Sequence, residues 1–190
     1  GVWNDTDPPG HALEGYLLNL TALLSSLGSF SACIKSHVQT TSLLKQDLDS
    51  MELLSRYKVL YLPDICYLTN KQITNIKSFV EKGGGLVMTH ATSLYDENGK
   101  RLPDFALADL AKIRYQKPDE KLSQKMAEHY TYGSVWDLYM KARPGQKVIK
   151  SPLADGLIPT HLYETVEALP GGTIITDIVD ANDPRAFVPG

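Results

Sequence analysis

Five histidines, two cysteines and a scatter of hydroxyls are the groups through which this chain could do chemistry. His11, His37, His90, His129 and His161 stand singly, with no H-x-H, H-E-x-x-H or C-x-x-C spacing, so no metal site is expected. Cys33 and Cys66 are too few for a disulfide scaffold or a structural zinc site. They read as buried thiols, with one disulfide as the alternative in an exported protein. An activated serine or cysteine needs a tight strand-to-helix elbow flanked by glycines, because its backbone is strained and its neighbours approach closely. The run His90-Ala91-Thr92-Ser93 has hydroxyls but no such frame, so Thr92 and Ser93 read as capping or turn hydroxyls. No catalytic residue is assigned. No cofactor is expected either: Gly83-Gly84-Gly85 follows a helix and leads into a strand, the reverse of a phosphate-binding loop, and reads as a helix stop. Tyr115, Tyr130, Tyr132 and Tyr139 gather in one weakly patterned region, as at an interface or a carbohydrate-contacting surface.

The elements that must position these groups are clearest in the middle of the chain. Lys58-Val59-Leu60-Tyr61-Leu62 is a compact apolar run closed by Pro63-Asp64, suited to a strand buried on both faces. Thr69 or Asn70 caps a helix whose Ile73, Ile76, Phe79 and Val80 share one face. After the glycines, Leu86-Val87-Met88-Thr89 reads as a second buried strand. Strand, helix and strand make a βαβ unit with parallel strands. In open parallel sheets ligands sit at the carboxyl ends of the strands. The candidate ligand-binding residues are therefore Asp64, Cys66 and Tyr67 after the first strand, and His90, Thr92 and Ser93 after the second.

Around this unit the pattern is thinner. Val2-Trp3-Asn4 can end a first strand, and Leu13, Leu17, Leu20, Leu24 and Leu27 fall at helical steps of four and three. Gly28 weakens or ends that helix, Phe30 to Ile34 resumes it, and a short strand follows near His37 to Thr41. Asp104 to Ala111 reads as a short helix and 114–132 as a loop with a helical turn. Val135 to Ala142, Leu162 to Ala168, Thr173 to Val179 and Ala186 to Val188 read as short strands between turn signals, which favours antiparallel pairing. The chain is thus read as a single domain over 1–190, with a parallel α/β part at 1–132 and a strand-rich extension at 133–190.

Composition narrows the class. Of 190 residues, 19 are Lys or Arg and 22 Asp or Glu, a net charge of -3 without basic clusters, which argues against nucleic acid as a partner. The longest apolar run is four residues, Val59 to Leu62, far short of a membrane span. Apolar residues at 43 % and a low net charge exclude a disordered tail. The first residues have no signal-peptide pattern, there is no initiator Met, and the chain stops abruptly at Val188-Pro189-Gly190. The expectation is a soluble piece of a longer chain, cytoplasmic or periplasmic.

Three stretches carry a family resemblance: Ser55-Arg56-Tyr57-Lys58-Val59-Leu60-Tyr61-Leu62-Pro63-Asp64, the helix with Lys71-Gln72-Ile73, and Phe79-Val80-Glu81-Lys82-Gly83-Gly84-Gly85-Leu86-Val87. Together they resemble a class I glutamine amidotransferase-like domain, in the branch of the β-galactosidase trimerisation domain of bacterial glycoside hydrolases. Thr92-Ser93-Leu94-Tyr95-Asp96 and Arg101-Leu102-Pro103-Asp104-Phe105-Ala106-Leu107-Ala108-Asp109-Leu110 resemble the related domain that follows the barrel in bacterial glycosyl hydrolases. The resemblance implies an α/β fold, a flavodoxin-like three-layer sandwich with a mainly parallel sheet and an antiparallel C-terminal extension. Active amidotransferases carry a cysteine at the elbow after the strand equivalent to Leu86–Thr89; His90-Ala91-Thr92 stands there. His161 and Glu164 are only loosely placed for the His-Glu pair of that family, and without the nucleophile they have nothing to activate. The resemblance implies a non-catalytic accessory or oligomerisation domain whose partner is itself or an adjoining glycoside hydrolase domain. A divergent hydrolase using Asp64, His90 or Ser93, and a carbohydrate-binding module using the tyrosine-rich segment, are the rival readings.

Overall fold

The computed structural model describes residues 2–3, 12–117, 138–149, 157–159, 164–180 and 187–189. The chain divides into two compact units, Gly1–Leu110 and Ala111–Gly190. The sheets are small, some parallel and some antiparallel, giving a mixed α/β architecture.

In the first unit β1 (Val2–Trp3) pairs in parallel with β2 (Leu43–Leu44), and β3 (Val59–Pro63) pairs in parallel with β4 (Gly85–Thr89). The long helix α1 (Ala12–Lys35) joins β1 to β2 and packs on β1 and β3. Gly28 does not end it: one glycine costs about 1 kcal/mol in a helix interior, too little to stop a helix of 24 residues that packs on two strands. The strand expected at His37 to Thr41 is absent; the paired residues come later, at Leu43–Leu44. A 3-10 turn (Lys45–Asp49) and a one-turn helix α2 (Met51–Leu54) then lead into β3.

Helix α3 (Asn70–Glu81) crosses from β3 to β4. Thr69 Oγ1 accepts from the Gln72 N–H at 3.2 Å and Gln72 Oε1 accepts from the Thr69 N–H at 3.1 Å, a reciprocal cap. Gln72 Nε2 also donates to the Lys45 carbonyl and Asn75 Nδ2 to that of Leu48, tying α3 to the 3-10 turn. At the other end Gly83 takes a left-handed φ of 95°, while the Gly84 N–H reaches the Phe79 carbonyl and the Gly83 N–H that of Val80. This is a Schellman stop, which needs glycine at the left-handed position. The core holds Leu48, Leu54, Leu60, Leu62, Ile76 and Phe79, so even-numbered residues of β3 face inward with one face of α3. Helix α4 (Ala108–Ala111) closes this stretch, shorter than the helix expected from Asp104.

The second unit is strand-rich. β6 (Leu138–Ala142), β7 (Leu157–Pro159), β9 (Thr176–Asp180) and β10 (Phe187–Pro189) form an antiparallel sheet in the order β10-β9-β6-β7. β5 (Ile113–Tyr115) pairs with β8 (Val166–Ala168) in a two-stranded antiparallel sheet, so a strand runs into the start of the loop expected at 114–132. Arg143, just past β6, grips Asp177 of β9 with Nη2 and Nε at 2.6–3.1 Å, and that hydrogen-bonded carboxylate raises the guanidinium pKa. Tyr130, Tyr132, His11, His129 and His161 lie outside the described residues. Among the described residues, no helix is long and apolar enough to cross a membrane.

Candidate functional site

The carboxyl ends of β3 and β4 bring all six expected residues into one neighbourhood. Where β3 ends, Asp64 turns the chain with a left-handed φ of 57°; where β4 ends, His90 (48°) and Ser93 (65°) do the same. Such backbone costs on the order of 1 kcal/mol per non-glycine residue and persists only where surrounding bonds hold it. Here the bonds are dense. Asp64 Oδ1 accepts from the Ala91 N–H at 3.2 Å, lies 2.8 Å from His90 Nδ1, and receives the Cys66 thiol at 3.3 Å. Because Oδ1 accepts, the imidazole proton sits on Nδ1.

The loops are also stitched to each other. The Asp64 N–H donates to Thr89 Oγ1, and the Ile65 N–H donates to Thr92 Oγ1 at 3.1 Å. The Thr92 hydroxyl lies 2.8 Å from the Thr89 carbonyl and 3.0 Å from that of Leu62, so one side chain ties both strand ends. Main-chain bonds from Ser93 N–H to the Ile65 carbonyl and from Tyr95 N–H to the Cys66 carbonyl carry the pairing beyond the strands. Ser93 Oγ is occupied too, accepting the Leu107 N–H at 3.3 Å.

Burial decides what this arrangement can do. Asp64, Cys66, Thr92 and Ser93 are fully buried and Tyr67 is 3 % exposed; of the six, only His90 reaches solvent, its side chain 15 % exposed. Asp64 Oδ2 is buried with no hydrogen-bond partner among the described residues. The hydroxyls of Thr92 and Ser93 and the thiol of Cys66 are spent on the backbone and on Asp64, so none is presented to a substrate. Cys33 is partly exposed, and neither cysteine is in a disulfide. Among the described residues, no three His, Cys, Asp or Glu side chains are grouped to hold a metal.

Four residues beyond those six take part. Tyr95 stacks at a tilt on Tyr67, centroids 5.4 Å apart, and the pair is flanked by Lys45 and Arg101 over the ring faces. Thr89 serves as an acceptor from inside β4. The available signal was position: Lys45 directly follows β2, Thr89 ends β4, and Tyr95 and Arg101 are joined to the strand-end loops by the Tyr67–Tyr95 and Tyr95–Arg101 bridges. A groove of about 490 Å³ lies at the opposite end of β3, lined by Thr40, Leu43, Arg56 and Tyr57 among others.

The comparisons follow the same elements. The family model of the β-galactosidase trimerisation domain matches residues 35–135, just over half the chain, which takes in β2 to β4 and both strand-end loops. No curated protein matches the chain. Among solved structures, the cold-adapted β-galactosidase from Rahnella sp. R3 aligns with a TM-score of 0.52 at 16 % identity, over 80 % of this chain and 20 % of that one. A catalytic mutant of Gan42B, a GH42 β-galactosidase from G. stearothermophilus, aligns with a TM-score of 0.50 at 17 % identity, over 80 % of this chain and 18 % of that one. At such identities the likeness is one of fold, and this chain spans about a fifth of the length of those enzymes. With more than half its residues on the family model, the chain belongs to the β-galactosidase trimerisation domain family.

Proposed function

We propose that this chain is a non-catalytic accessory domain that holds copies of a GH42-type β-galactosidase together, and that the catalytic domain of such an enzyme is its partner. The family match over residues 35–135 carries the reading. The strand-end geometry supports it: the groups that a hydrolase would expose are consumed in holding two loops. On this reading Asp64, Cys66, Tyr67, His90, Thr92 and Ser93 are the closed remnant of a ligand pocket, and His90 is the group left to meet a neighbouring domain or subunit. The finer ancestry, an amidotransferase-like, flavodoxin-like sandwich that has lost its nucleophile, fits the parallel β3-α3-β4 unit and the histidine at the elbow position.

Light scattering over a concentration series tests the proposal. A stable trimer at micromolar protein is expected. A folded monomer throughout would overturn it.

A further inference from the structure

Helix α1 is built inside out for an ordinary surface helix. Its small residues face the body of the unit, Ala22 at 1 % and Ser26 at 3 % exposed. Among the described side chains its large apolar residues face away: Leu24 is 57 % exposed, Leu27 48 %, Phe30 36 % and Ile34 53 %. An amphipathic helix on a lone domain does the opposite, turning its apolar stripe to the core and charge to water. Charge is nearly missing: in 24 residues only Glu14 and Lys35 are of charged type. Among the described side chains, the face opposite Ala22 and Ser26 is mainly apolar, which is what a helix turns to a partner rather than to water.

The spacing says what covers it. In sequence the leucines run 13, 17, 20, 24, 27, alternating steps of four and three; Ser31 takes the next place and Ile34 the one after. That is a 3.5-residue period, the seam that keeps one stripe against another helix along its whole length. Among the described residues no other helix has such a stripe to spare: α3, at 12 residues the next longest, spends Ile76 and Phe79 on the core.

We infer that the exposed seam of α1 docks a second copy of this chain, whose own α1 supplies the matching stripe. The inference rests on the oligomerisation reading above and assigns it a surface. α1 lies almost wholly before the stretch matched by the family model, so the surface is carried by this chain's own residues. Sparse charge removes the repulsion that would oppose like helices meeting.

The test is sedimentation velocity on the protein and on Leu24→Glu/Leu27→Glu, with Val148→Glu, at a position 78 % exposed in the second unit, as the control. Leu24→Gln/Leu27→Gln, neutral and helix-compatible, serves where the glutamates disturb folding by far-UV circular dichroism. The expected result is an associating wild type, an unaltered control, and a seam variant whose dissociation constant rises roughly a hundredfold or more. A seam variant that associates like the wild type overturns the inference and leaves the oligomerisation reading standing. An unchanged mass with a lowered melting temperature shows that the seam is covered within one chain, and overturns it equally. A wild type that stays monomeric overturns both.

Discussion

Replacing Asp64 with alanine tests whether the buried carboxyl holds the strand ends. The loss begins with donors: the Ala91 N–H at 3.2 Å, His90 Nδ1 at 2.8 Å and the Cys66 thiol at 3.3 Å all lose the same acceptor. The buried amide alone, with Ala91 1 % exposed, costs about 1–3 kcal/mol when orphaned. At φ 57° aspartate is tolerated and alanine is not, which adds about 1 kcal/mol. One term opposes these: the Oδ2 that has no partner among the described residues disappears, returning part of its burial cost of about 1–3 kcal/mol. The net expectation for Asp64→Ala is a destabilisation of about 2–4 kcal/mol. Asp64→Asn keeps an acceptor at Oδ1 and the left-handed backbone, exchanging one unpaired atom for another, so it should stay within about 1 kcal/mol of wild type. Urea titrations followed by far-UV circular dichroism read both. An alanine variant no weaker than the asparagine would refute the acceptor argument. An asparagine that costs as much as the alanine would move the effect to the carboxyl charge.

Thr92→Val removes the hydroxyl that accepts from Ile65 and lies against two carbonyls, and should cost about 1–3 kcal/mol, with Thr92→Ser restoring most of it in the same titrations. A Cβ at Gly84 would overlap the Phe79 ring, whereas one at Gly83 meets nothing within 4 Å and pays only for its φ of 95°. Gly84→Ala should therefore lower the melting temperature more than Gly83→Ala, by calorimetry. Arg143→Ala should weaken the second unit only slightly, and the difference from wild type should shrink with added salt, because the guanidinium side chain is 39 % exposed.

The β3-α3-β4 unit was legible from apolar runs bounded by turn residues, a Thr69 cap, a one-faced apolar helix and glycines at its stop, but the runs overstated burial: Val59 and Val87 stand 56 % and 47 % exposed on the outer face. The location of the six residues was legible from topology alone, since Asp64 and His90 follow strands. Their bonds were not, because nothing in a single sequence says that Asp64 and His90, 26 residues apart, meet at 2.8 Å. Nor did residue type announce left-handed backbone at His90 and Ser93, which tertiary bonds impose. The 3-10 turn and α2 were missed since single turns such as Lys45–Asp49 are too short for a period to emerge. Ile113-Arg114-Tyr115 alternates as a strand should, yet three residues acquire meaning only beside their partner at Val166–Ala168.

Pairing between the two chain segments resumes after the strands end, and this limits how such a domain can diversify. The ladder leaves off at Pro63 opposite Thr89 and returns at Tyr67 opposite Tyr95, four residues on in one loop and six in the other. Inserting or deleting a residue in either loop shifts everything beyond it out of step, unfastening the Tyr67–Tyr95 bridge and the Ser93 and Tyr95 amide bonds together. The two loop lengths are therefore expected to change only together. Beyond Tyr95 the constraint relaxes at the turn closed by the Tyr95–Arg101 bridge, where Glu97 and Asn98 are exposed and Gly99 takes φ 77°. Indels among descendants of this domain should collect at that turn and spare the two strand-end loops.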